Sequence, residues 1–399
     1  MPVTPLVRFT IAMATQDAPA GAIVRVYFAT IWIVGASPAA RSPSLNPSAA
    51  RAPCELVQAG GAAWVGRGFR TAARQPCSRR PRCLARRGSE RCGCARLRGV
   101  RAVVLNSFAG LEGLELAEVA DPTPVEGEEL VYVRAASLGP WDRAAAGGAF
   151  AGMGGATDFP QVQGWDFAGE TVDGRRVFGF VAQPWMGVGA LAEQVAVPSA
   201  ILAPLPDALG FPEGSTLGVC GLTARLLVDG AAVKHGELVL VTGAAGMVGG
   251  FAMQLAAERG ARVVAAVRDS DADEARRLGA ESVVSTSDDL ENQIRGEWVD
   301  GVDACLDTVG LGAKALVCVR DGGAFVTSVP TAVPEPARGI APQTVQVQPD
   351  PEAASDLARR AAAGELTVRV AEVLPLERFG DAYARLERGG LQGKIVLTP

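Results

Sequence analysis

The first 99 residues and the rest of the chain differ in how their hydrophobic positions are spaced. Residues 1–99 show little periodicity, whereas from Arg101 onward short apolar runs alternate with Gly, Pro and Asp. Runs bounded by turn residues in this way predict an all-β domain of short strands. The predicted elements are strands at Ala102–Leu105, Leu114–Glu118, Leu130–Ala135, Thr171–Phe180 and Ala192–Pro198, and a tight β element at Gly164–Glu170.

Around Pro212 the pattern changes to strands that alternate with helices. One or two helices are predicted over Phe211–Asp229, and Leu238 then opens a series of apolar strands. Such alternation predicts an α/β fold with a doubly wound parallel sheet. Later strands are predicted at Ala261–Val267, Ser282–Val284, Val302–Asp307 and Gly323–Val329, with a helix at Asp273–Leu278. Residues Leu374–Pro399 return to β character, and a tail of that kind can rejoin the first domain.

The apolar run from Leu238 ends in three glycines, Gly243, Gly246 and Gly249, and a helical pattern follows at once. A strand, a glycine turn and a helix bring backbone N–H groups and a helix N-terminus to one point, which suits a pyrophosphate. Glycine is needed where the backbone approaches the phosphates and where the helix packs close to the strand. The pattern predicts dinucleotide binding, and the alternative is a structural turn without a ligand.

The net charge also differs between residues 1–99 and the rest of the chain. Residues 1–99 carry 15 Arg and three acidic residues, a net of +12, whereas the other 300 residues hold 23 basic and 40 acidic residues, a net of −17. The Arg-, Pro- and Ala-rich composition predicts that this N-terminal arm is disordered. Its arginines could bind nucleic acid or anionic lipid, but no interleaving of aromatic residues supports a nucleic-acid platform. We favour the alternative that the start codon is assigned too far upstream.

Cysteine usage separates the same two stretches. Five of the eight cysteines lie in the N-terminal arm, without a histidine or a paired spacing, so no metal site is expected there. Cys220, Cys305 and Cys318 lie in apolar surroundings, which is typical of buried free thiols in a reducing compartment. The apolar run from Ile23 to Ala36 is too short to span a bilayer. We therefore expect a cytoplasmic protein without a membrane span.

Eight segments match one family in its order and at its spacing. They are Arg101–Leu105, Gly164–Glu170, Arg176–Gly179, Gly221–Ala224, Gly243–Gly249, Leu278–Ala280, Leu306–Gly310 and Gly393–Leu397. Residues 100–399 thus resemble the medium-chain dehydrogenase/reductase superfamily, in its zinc-independent, quinone-oxidoreductase-like branch. The resemblance implies a GroES-like β domain over 100–222, completed by 350–399, and a Rossmann domain over 223–349; the arm 1–99 has no counterpart. It also implies NADPH-dependent reduction of a small molecule, either a quinone or the C=C bond of an α,β-unsaturated carbonyl.

The residues themselves argue against zinc and for NADPH. His235, the single histidine, precedes the Rossmann strand, and Trp165-Asp166 stands where zinc-dependent relatives carry His-Glu. A catalytic zinc needs converging His, Cys or carboxylate ligands, so no zinc is expected. At the end of the second Rossmann strand, Arg268 can clamp a 2′-phosphate and Ser270 can donate a hydrogen bond to it. The alternative is a solvated Arg268 beside Asp269.

The resemblance adds further cofactor residues. Thr223 matches a helix-borne threonine that approaches the nicotinamide, and Val309, Ser328 and Val329 lie at strand ends where ligands bind. For Val309 and Val329, strand packing is an equal alternative. The expected cofactor-binding residues are Thr223, Gly243, Ala245, Gly246, Met247, Val248, Gly249, Arg268, Ser270, Val309, Ser328 and Val329.

The resemblance is weakest where the chemistry would occur. Gly139 and Ala144 stand where many relatives have asparagine and some have tyrosine, and neither can donate a side-chain hydrogen bond to a developing oxyanion. Asp142 and Trp141 remain as weak catalytic candidates, although a role for Asp142 in organising its loop is favoured. A second hypothesis is therefore a nucleotide-binding relative with little or no turnover. Relatives are often homodimers through the Rossmann edge strand, here Thr344–Val347.

Overall fold

The computed structural model describes residues 9–12, 28–31, 99–286 and 289–399. The chain divides into two compact units, Met1–Arg96 and Leu97–Pro399. In the first unit, strands β1 (Phe9–Ala12) and β2 (Phe28–Ile31) pair antiparallel. The rest of the N-terminal arm, with its predicted disorder and its five cysteines, lies outside the described residues. Within the described residues, no helix is long and apolar enough to cross a bilayer.

The second unit opens with the β-rich region that the short apolar runs predict. Its strands are β3 (Val100–Leu105), β4 (Leu114–Val119), β5 (Glu128–Leu138), β6 (Gln161–Val162), β7 (Asp166–Thr171), β8 (Arg176–Phe180), β9 (Gln194–Pro198) and β10 (Ala203–Pro204). Helices α1 (Pro140–Ala146) and α2 (Gln183–Met186) lie between them. Strand β3 pairs with β4 and β6, whereas β5 pairs with β7 and β9, β7 with β8, and β8 with β10, all antiparallel.

The prediction of one continuous strand over Thr171–Phe180 is wrong. Strand β7 ends at Thr171 and β8 begins at Arg176, and the two pair antiparallel. Between them Gly174 adopts a left-handed φ of +83°, and Thr171 Oγ1 accepts the N–H of Arg175 at 3.1 Å. Because an Asp-Gly pair favours a tight hairpin turn, Asp173-Gly174 ends the strand despite the apolar residues on both sides.

A six-stranded parallel sheet follows, and it confirms the predicted α/β class. Its strands are β11 (Leu238–Thr242), β12 (Arg262–Val267), β13 (Ser282–Ser285), β14 (Val302–Asp307), β15 (Val319–Thr327) and β16 (Gln343–Thr344). The helices before and between them are α3 (Phe211–Gly214), α4 (Gly218–Gly230), α5 (Met247–Glu258), α6 (Ala272–Arg277), α7 (Leu290–Glu297) and α8 (Ala313–Leu316). The order β13-β12-β11-β14-β15-β16 is that of dinucleotide-binding sheets.

The central strand β11 explains why this sheet forms. Leu238, Val239, Leu240 and Val241 are all buried. A run that is apolar on both faces suits a parallel strand covered by helices on each side. Helix α5 packs on β11 and against α4, so the start of α5 is fixed beside the carboxyl end of the strand.

The last part of the chain returns to the β-rich region. It consists of α9 (Pro351–Ala362), β17 (Val370–Pro375), α10 (Phe379–Arg388) and β18 (Lys394–Thr398). Strand β18 lies between β5, to which it is antiparallel, and β17, to which it is parallel. The β character predicted for Leu374–Pro399 is wrong in the middle, where α10 buries Ala382 and Tyr383 on one face. Neighbouring apolar positions of this kind fit a helical stripe as well as a strand.

Candidate nucleotide and substrate site

The glycine turn after β11 is too crowded to accept side chains. A Cβ on Gly249 would lie 2.3 Å from the carbonyl oxygen of Gly243, and Gly243 itself has a φ of +61°. The N–H of Gly246 donates to that same Gly243 oxygen at 2.8 Å. The turn is thus closed by its own backbone, and α5 begins immediately after it at Met247.

The start of α5 offers unpaired donors to an anion. Among the described residues, no group accepts the N–H of Met247, Val248 or Gly249. Ala245 and Met247 are themselves buried, at 5% and 9% exposure. Free N–H groups at a helix N-terminus, beside glycines that leave room for close approach, fit the pyrophosphate of a dinucleotide.

The turn is anchored to the next strand by Asp307, the last residue of β14. Asp307 Oδ1 accepts hydrogen bonds from Thr242 Oγ1 at 2.7 Å and from the N–H groups of Gly310 and Leu311 at 3.0 and 3.1 Å. Its Oδ2 accepts the N–H of Gly312 at 2.9 Å. This fully buried carboxylate therefore ties the carboxyl ends of β11 and β14 together.

Other residues expected at the cofactor lie at the same edge of the sheet. A Cβ on Gly243 would meet Val309 Cγ1 at 2.3 Å, and Val309 is 54% exposed, so this side chain flanks the turn on its solvent side. The Ser328 N–H donates to the Asp307 carbonyl, and the Val329 N–H donates to Thr327 Oγ1. Thr223 lies on α4, which packs against α5.

Arg268 and Ser270 lie at the end of β12, next to the glycine turn along the sheet edge. Arg268 Nε donates to Asp271 Oδ2 at 2.8 Å, while its side chain stays 54% exposed. The buried Asp271 also accepts from Gln392 Nε2 at 3.2 Å. Asp271 therefore holds one edge of the Arg268 guanidinium and leaves part of it open to solvent.

Trp141 and Asp142 lie in the first turn of helix α1. Asp142 is 1% exposed; its Oδ2 accepts the Gly139 N–H at 2.7 Å, and its Oδ1 has no partner among the described residues. Burial raises the pKa of Asp142 to about 7. A Cβ on Gly139 would lie 2.4 Å from the Trp141 ring, so the indole fills the space that a side chain at position 139 would occupy.

A second buried carboxylate, Asp166, shares a lysine with this group. Lys394 Nζ donates to the Leu138 carbonyl at 2.9 Å, lies 3.9 Å from Asp166 Oδ2 and sits 4.1 Å above the Trp141 ring. Asp166 Oδ1 accepts the Val219 N–H at 2.7 Å at the start of α4. Burial raises the pKa of Asp166 to about 6. Asp166 therefore contacts the first turn of helix α4, the helix that also carries Thr223.

Aromatic rings surround the carboxylates. Trp165, 7% exposed, lies 6.4 Å from Trp141, 5.9 Å from Phe150 and 6.0 Å from Trp185, measured between ring centroids. The indole N–H groups of Trp141 and Trp165 are buried and have no acceptor among the described residues. An unpaired buried donor is costly unless a ligand or water takes its hydrogen bond. The arrangement suits a flat molecule with an oxygen acceptor.

No metal-binding cluster stands out in the described part of the chain, where no group of three or more His, Cys, Asp or Glu side chains could hold an ion. Cys220, Cys305 and Cys318 are buried free thiols, and burial raises the pKa of Cys220 to about 11. His235 precedes β11 at the edge of the sheet opposite the glycine turn, where its ring packs against Gly260.

The sequence patterns gave no indication that Arg369 contacts the turn or that it pairs with Glu274. Arg369 donates to the carbonyls of Ala245 and Gly246, both at 2.7 Å, and pairs with Glu274 at 3.0 Å. The only available signal was a charged residue inside the apolar stretch Leu366–Val370, where Arg369 is 7% exposed.

Comparisons with known proteins agree with this geometry. Residues 278–397 match the family model described as zinc-binding dehydrogenase. A zinc-type alcohol dehydrogenase-like protein of Schizosaccharomyces pombe is 32% identical over 209 residues, which are 50% of this chain and 60% of that protein. The 2-methylene-furan-3-one reductase of Solanum lycopersicum is 29% identical over 322 residues, which are 75% of this chain and 79% of that protein.

The solved structure of the quinone oxidoreductase from Coxiella burnetii superposes on this chain with a TM-score of 0.68 at 25% identity, covering 75% of this chain and 99% of that one. The sheet order, the glycine turn and these relatives therefore confirm the resemblance drawn from the sequence motifs. Residues 278–397 thus match the zinc-binding dehydrogenase family, and over about three quarters of its length the chain is similar to oxidoreductases of the medium-chain dehydrogenase/reductase type.

Proposed function

We propose that the protein is an NADPH-dependent reductase that transfers hydride, without zinc, to quinones or to the C=C bond of α,β-unsaturated carbonyls. The observation that carries the proposal is the glycine turn, where the N–H groups of Met247, Val248 and Gly249 have no acceptor among the described residues and fit a pyrophosphate. The names of two relatives support the acceptor class, since one reduces a furanone and the other is a quinone oxidoreductase.

Arg268 supports the choice of NADPH over NADH. Its guanidinium is held by Asp271 yet remains 54% exposed at the strand end where a ribose 2′-phosphate would lie. Ser270 is exposed beside it. A guanidinium donates to a phosphate through two parallel hydrogen bonds, which favours the phosphorylated cofactor.

NADPH supplies the hydride when bound, and the protein supplies binding, orientation and a polar environment. On our proposal the indole N–H of Trp141 donates to the substrate oxygen, because the indole occupies the space above Gly139 where relatives carry a donor side chain. Trp165 and Phe150 form apolar walls for a flat ring. Asp142 holds the Gly139 N–H and so keeps Trp141 in place.

The decisive experiment measures both binding and turnover. Titration calorimetry with NADPH and NADH should show tighter binding of NADPH, and Arg268→Ala should reduce that preference about ten-fold, the loss of one charge-assisted contact. Arg262→Ala is the matched control, because Arg262 is an exposed arginine on the same strand that pairs with Glu281 at its other end. Equal affinity of the wild-type protein for both nucleotides would contradict the choice of NADPH.

Steady-state oxidation of NADPH with a panel of quinones and enones then tests the reaction. Turnover that is insensitive to chelators supports the zinc-free proposal. Tight NADPH binding without turnover on any acceptor would instead favour the second hypothesis, a nucleotide-binding relative with little or no activity, which the lack of donor side chains at Gly139 and Ala144 keeps open.

Two further expectations belong to the same proposal. A cytoplasmic location is supported by the three buried free thiols of the described residues. A homodimer would form through the sheet edge at β16, where Gln343 and Thr344 are exposed. Analytical ultracentrifugation tests the homodimer directly, since the sedimentation coefficient of a monomer would contradict it.

A further inference from the structure

The buried guanidinium of Arg369 contacts the glycine turn from the side of the C-terminal segment. Nη1 donates to the Ala245 carbonyl and Nη2 to the Gly246 carbonyl, each at 2.7 Å, and the residue is 7% exposed. Residue 369 is more than 100 positions away from the turn in sequence and precedes β17. These contacts are therefore tertiary, and they bind the two peptide groups from which α5 starts.

Peptide geometry determines what these two hydrogen bonds do. In a trans peptide the carbonyl and the following N–H point in opposite directions. The Gly246 carbonyl is held by Arg369 and by the Gly250 N–H, at 2.8 Å, so the N–H of Met247 points away from Arg369, and no described residue accepts that N–H. A cation on the carbonyl side also polarises the peptide and makes the N–H a stronger donor.

The charge of Arg369 is compensated within the protein. Glu274 on α6 lies 3.0 Å from Nη1, is only 10% exposed and also pairs with Arg277 at 2.7 Å. A buried ion pair seldom stabilises a fold more than apolar residues of the same volume would. The presence of a guanidinium here is therefore better explained by the two carbonyls that it contacts than by overall stability.

Gly250 provides the space that the guanidinium needs. A Cβ on Gly250 would lie 2.3 Å from Arg369 Nη2. The phosphate-binding motif explains Gly243, Gly246 and Gly249 but makes no demand on the next residue. Arg369 can therefore reach the turn only because residue 250 on α5 has no side chain.

We propose that Arg369 is a positioning residue for pyrophosphate binding, which fixes the carbonyls of Ala245 and Gly246 so that the N–H groups at the start of α5 face the nucleotide. The inference rests on the proposed nucleotide binding. Arg369 acts from behind the turn, and it couples the C-terminal segment that leads into β17 to the affinity for any ligand with a pyrophosphate.

Binding of NADPH, NADH and adenosine 2′-monophosphate to the full-length protein tests the proposal. Arg369→Met should weaken NADPH and NADH by a similar factor, about 10- to 100-fold, the range for losing hydrogen bonds to a charged group. Adenosine 2′-monophosphate, which has the 2′-phosphate but no pyrophosphate, should bind as it does to the wild type. A loss confined to pyrophosphate ligands is not expected from a role in folding alone.

Arg360→Met is the matched control. Arg360 is another largely buried arginine, on α9, and it pairs with Glu258 at the far end of α5. Its loss should lower thermal stability and leave NADPH affinity within about two-fold, because distant sites act independently. Arg369→Lys keeps the charge but cannot bridge two carbonyls as a planar fork, so an intermediate loss of about three- to ten-fold is expected.

Several outcomes would overturn the inference. Folded Arg369→Met with wild-type NADPH affinity would do so, as would an equal loss for adenosine 2′-monophosphate. If Arg369→Met does not fold, Arg369→Lys decides, and wild-type affinity in that variant rejects the role. A wild-type protein that binds neither dinucleotide would instead reject the proposed function, and this inference with it.

Discussion

Gly249 at the proposed nucleotide end and Gly139 at the proposed substrate end are both too crowded for a side chain, but the crowding has different origins. A Cβ on Gly249 would strike backbone, the Gly243 carbonyl at 2.3 Å, whereas a Cβ on Gly139 would strike the Trp141 ring at 2.4 Å. The Gly243 carbonyl cannot move without opening the turn, but the Trp141 ring can be removed by a substitution. The nucleotide end is therefore fixed by the fold, and the substrate end by a pair of side chains that can change together.

The buried carboxylates Asp307 and Asp142 also differ, in the number of hydrogen bonds that each accepts. Asp307 accepts four hydrogen bonds, from Thr242 Oγ1 and three backbone N–H groups. Asp142 accepts one, from Gly139, and its second oxygen has no partner among the described residues. Both oxygens of the Asp307 carboxylate therefore have donors, whereas one oxygen of Asp142 has none among the described residues.

The largest effect is expected from Gly249→Ala. Because the new methyl group meets backbone at 2.3 Å, the turn must open, and NADPH affinity should fall about 100-fold with a loss of about 3 kcal/mol in stability. Calorimetric titration and urea unfolding measure both. Gly296→Ala is the control, since no atom lies within 4 Å of its Cβ on α7 and the change should stabilise by up to about 1 kcal/mol. Unchanged NADPH binding in Gly249→Ala would contradict the backbone origin of the crowding.

Asp307→Asn should lower the free energy of unfolding by about 3 kcal/mol, because an amide places a donor against N–H groups that need an acceptor. Asp142→Asn should cost much less, since the amide oxygen can still accept the Gly139 N–H. Urea denaturation of both variants under the same conditions makes the comparison. Similar losses in the two variants would remove the contrast between the two carboxylates.

Gly139→Ala should destabilise the protein by about 2 kcal/mol through its clash with the Trp141 ring. In a Trp141→Ala background the same change should cost almost nothing. The coupling energy from a double-mutant cycle measures the difference. Additive effects would show that something other than the ring excludes a side chain at this position, and no such rescue is expected for Gly249.

The pH dependence of stability gives a further test of the contrast between the two carboxylates. Burial raises the pKa of Asp142 from 3.8 to about 7, so the folded state binds a proton that the unfolded state has released between these values. The contribution of Asp142 to the free energy of unfolding is fully present below about pH 4. It is lost as the pH rises towards 7, at up to about 1.4 kcal/mol per pH unit. Asp142→Asn should reduce the fall in unfolding free energy between pH 4.5 and 7.

Two facts about other carboxylates bear on that measurement. Asp166, whose pKa burial raises to about 6, contributes a slope of the same sign that Asp142→Asn leaves in place. Asp173 provides a control: hydrogen bonds from Thr171 and Arg175 lower its pKa, so it stays charged across this range and Asp173→Asn should keep the wild-type slope. An unchanged slope in Asp142→Asn would show that its carboxyl is ionised throughout.

The parts that could be predicted from sequence are those encoded locally. The strand, the three glycines and the following helix lie within the 21 residues from Leu238 to Glu258, and the predicted strand Val302–Asp307 has the observed ends. The contacts of Arg369 could not be foreseen, because it meets Glu274 and the turn only after about 100 residues of intervening chain have folded. Trp141 is two residues from Gly139, but its ring fills that space only in the observed side-chain conformation.

The position of β18 has a consequence for how the polypeptide is made. This strand lies inside its sheet, between β5 and β17, and Ile395, Val396 and Leu397 are fully buried. All six strands of the parallel sheet leave the ribosome before it. Until β18 arrives, the Ala136–Leu138 end of β5 has an open edge of the kind that pairs with other chains. Chaperone demand during translation should therefore concentrate on the β-rich region, and a stop codon that removes β18 should be as harmful as an early one.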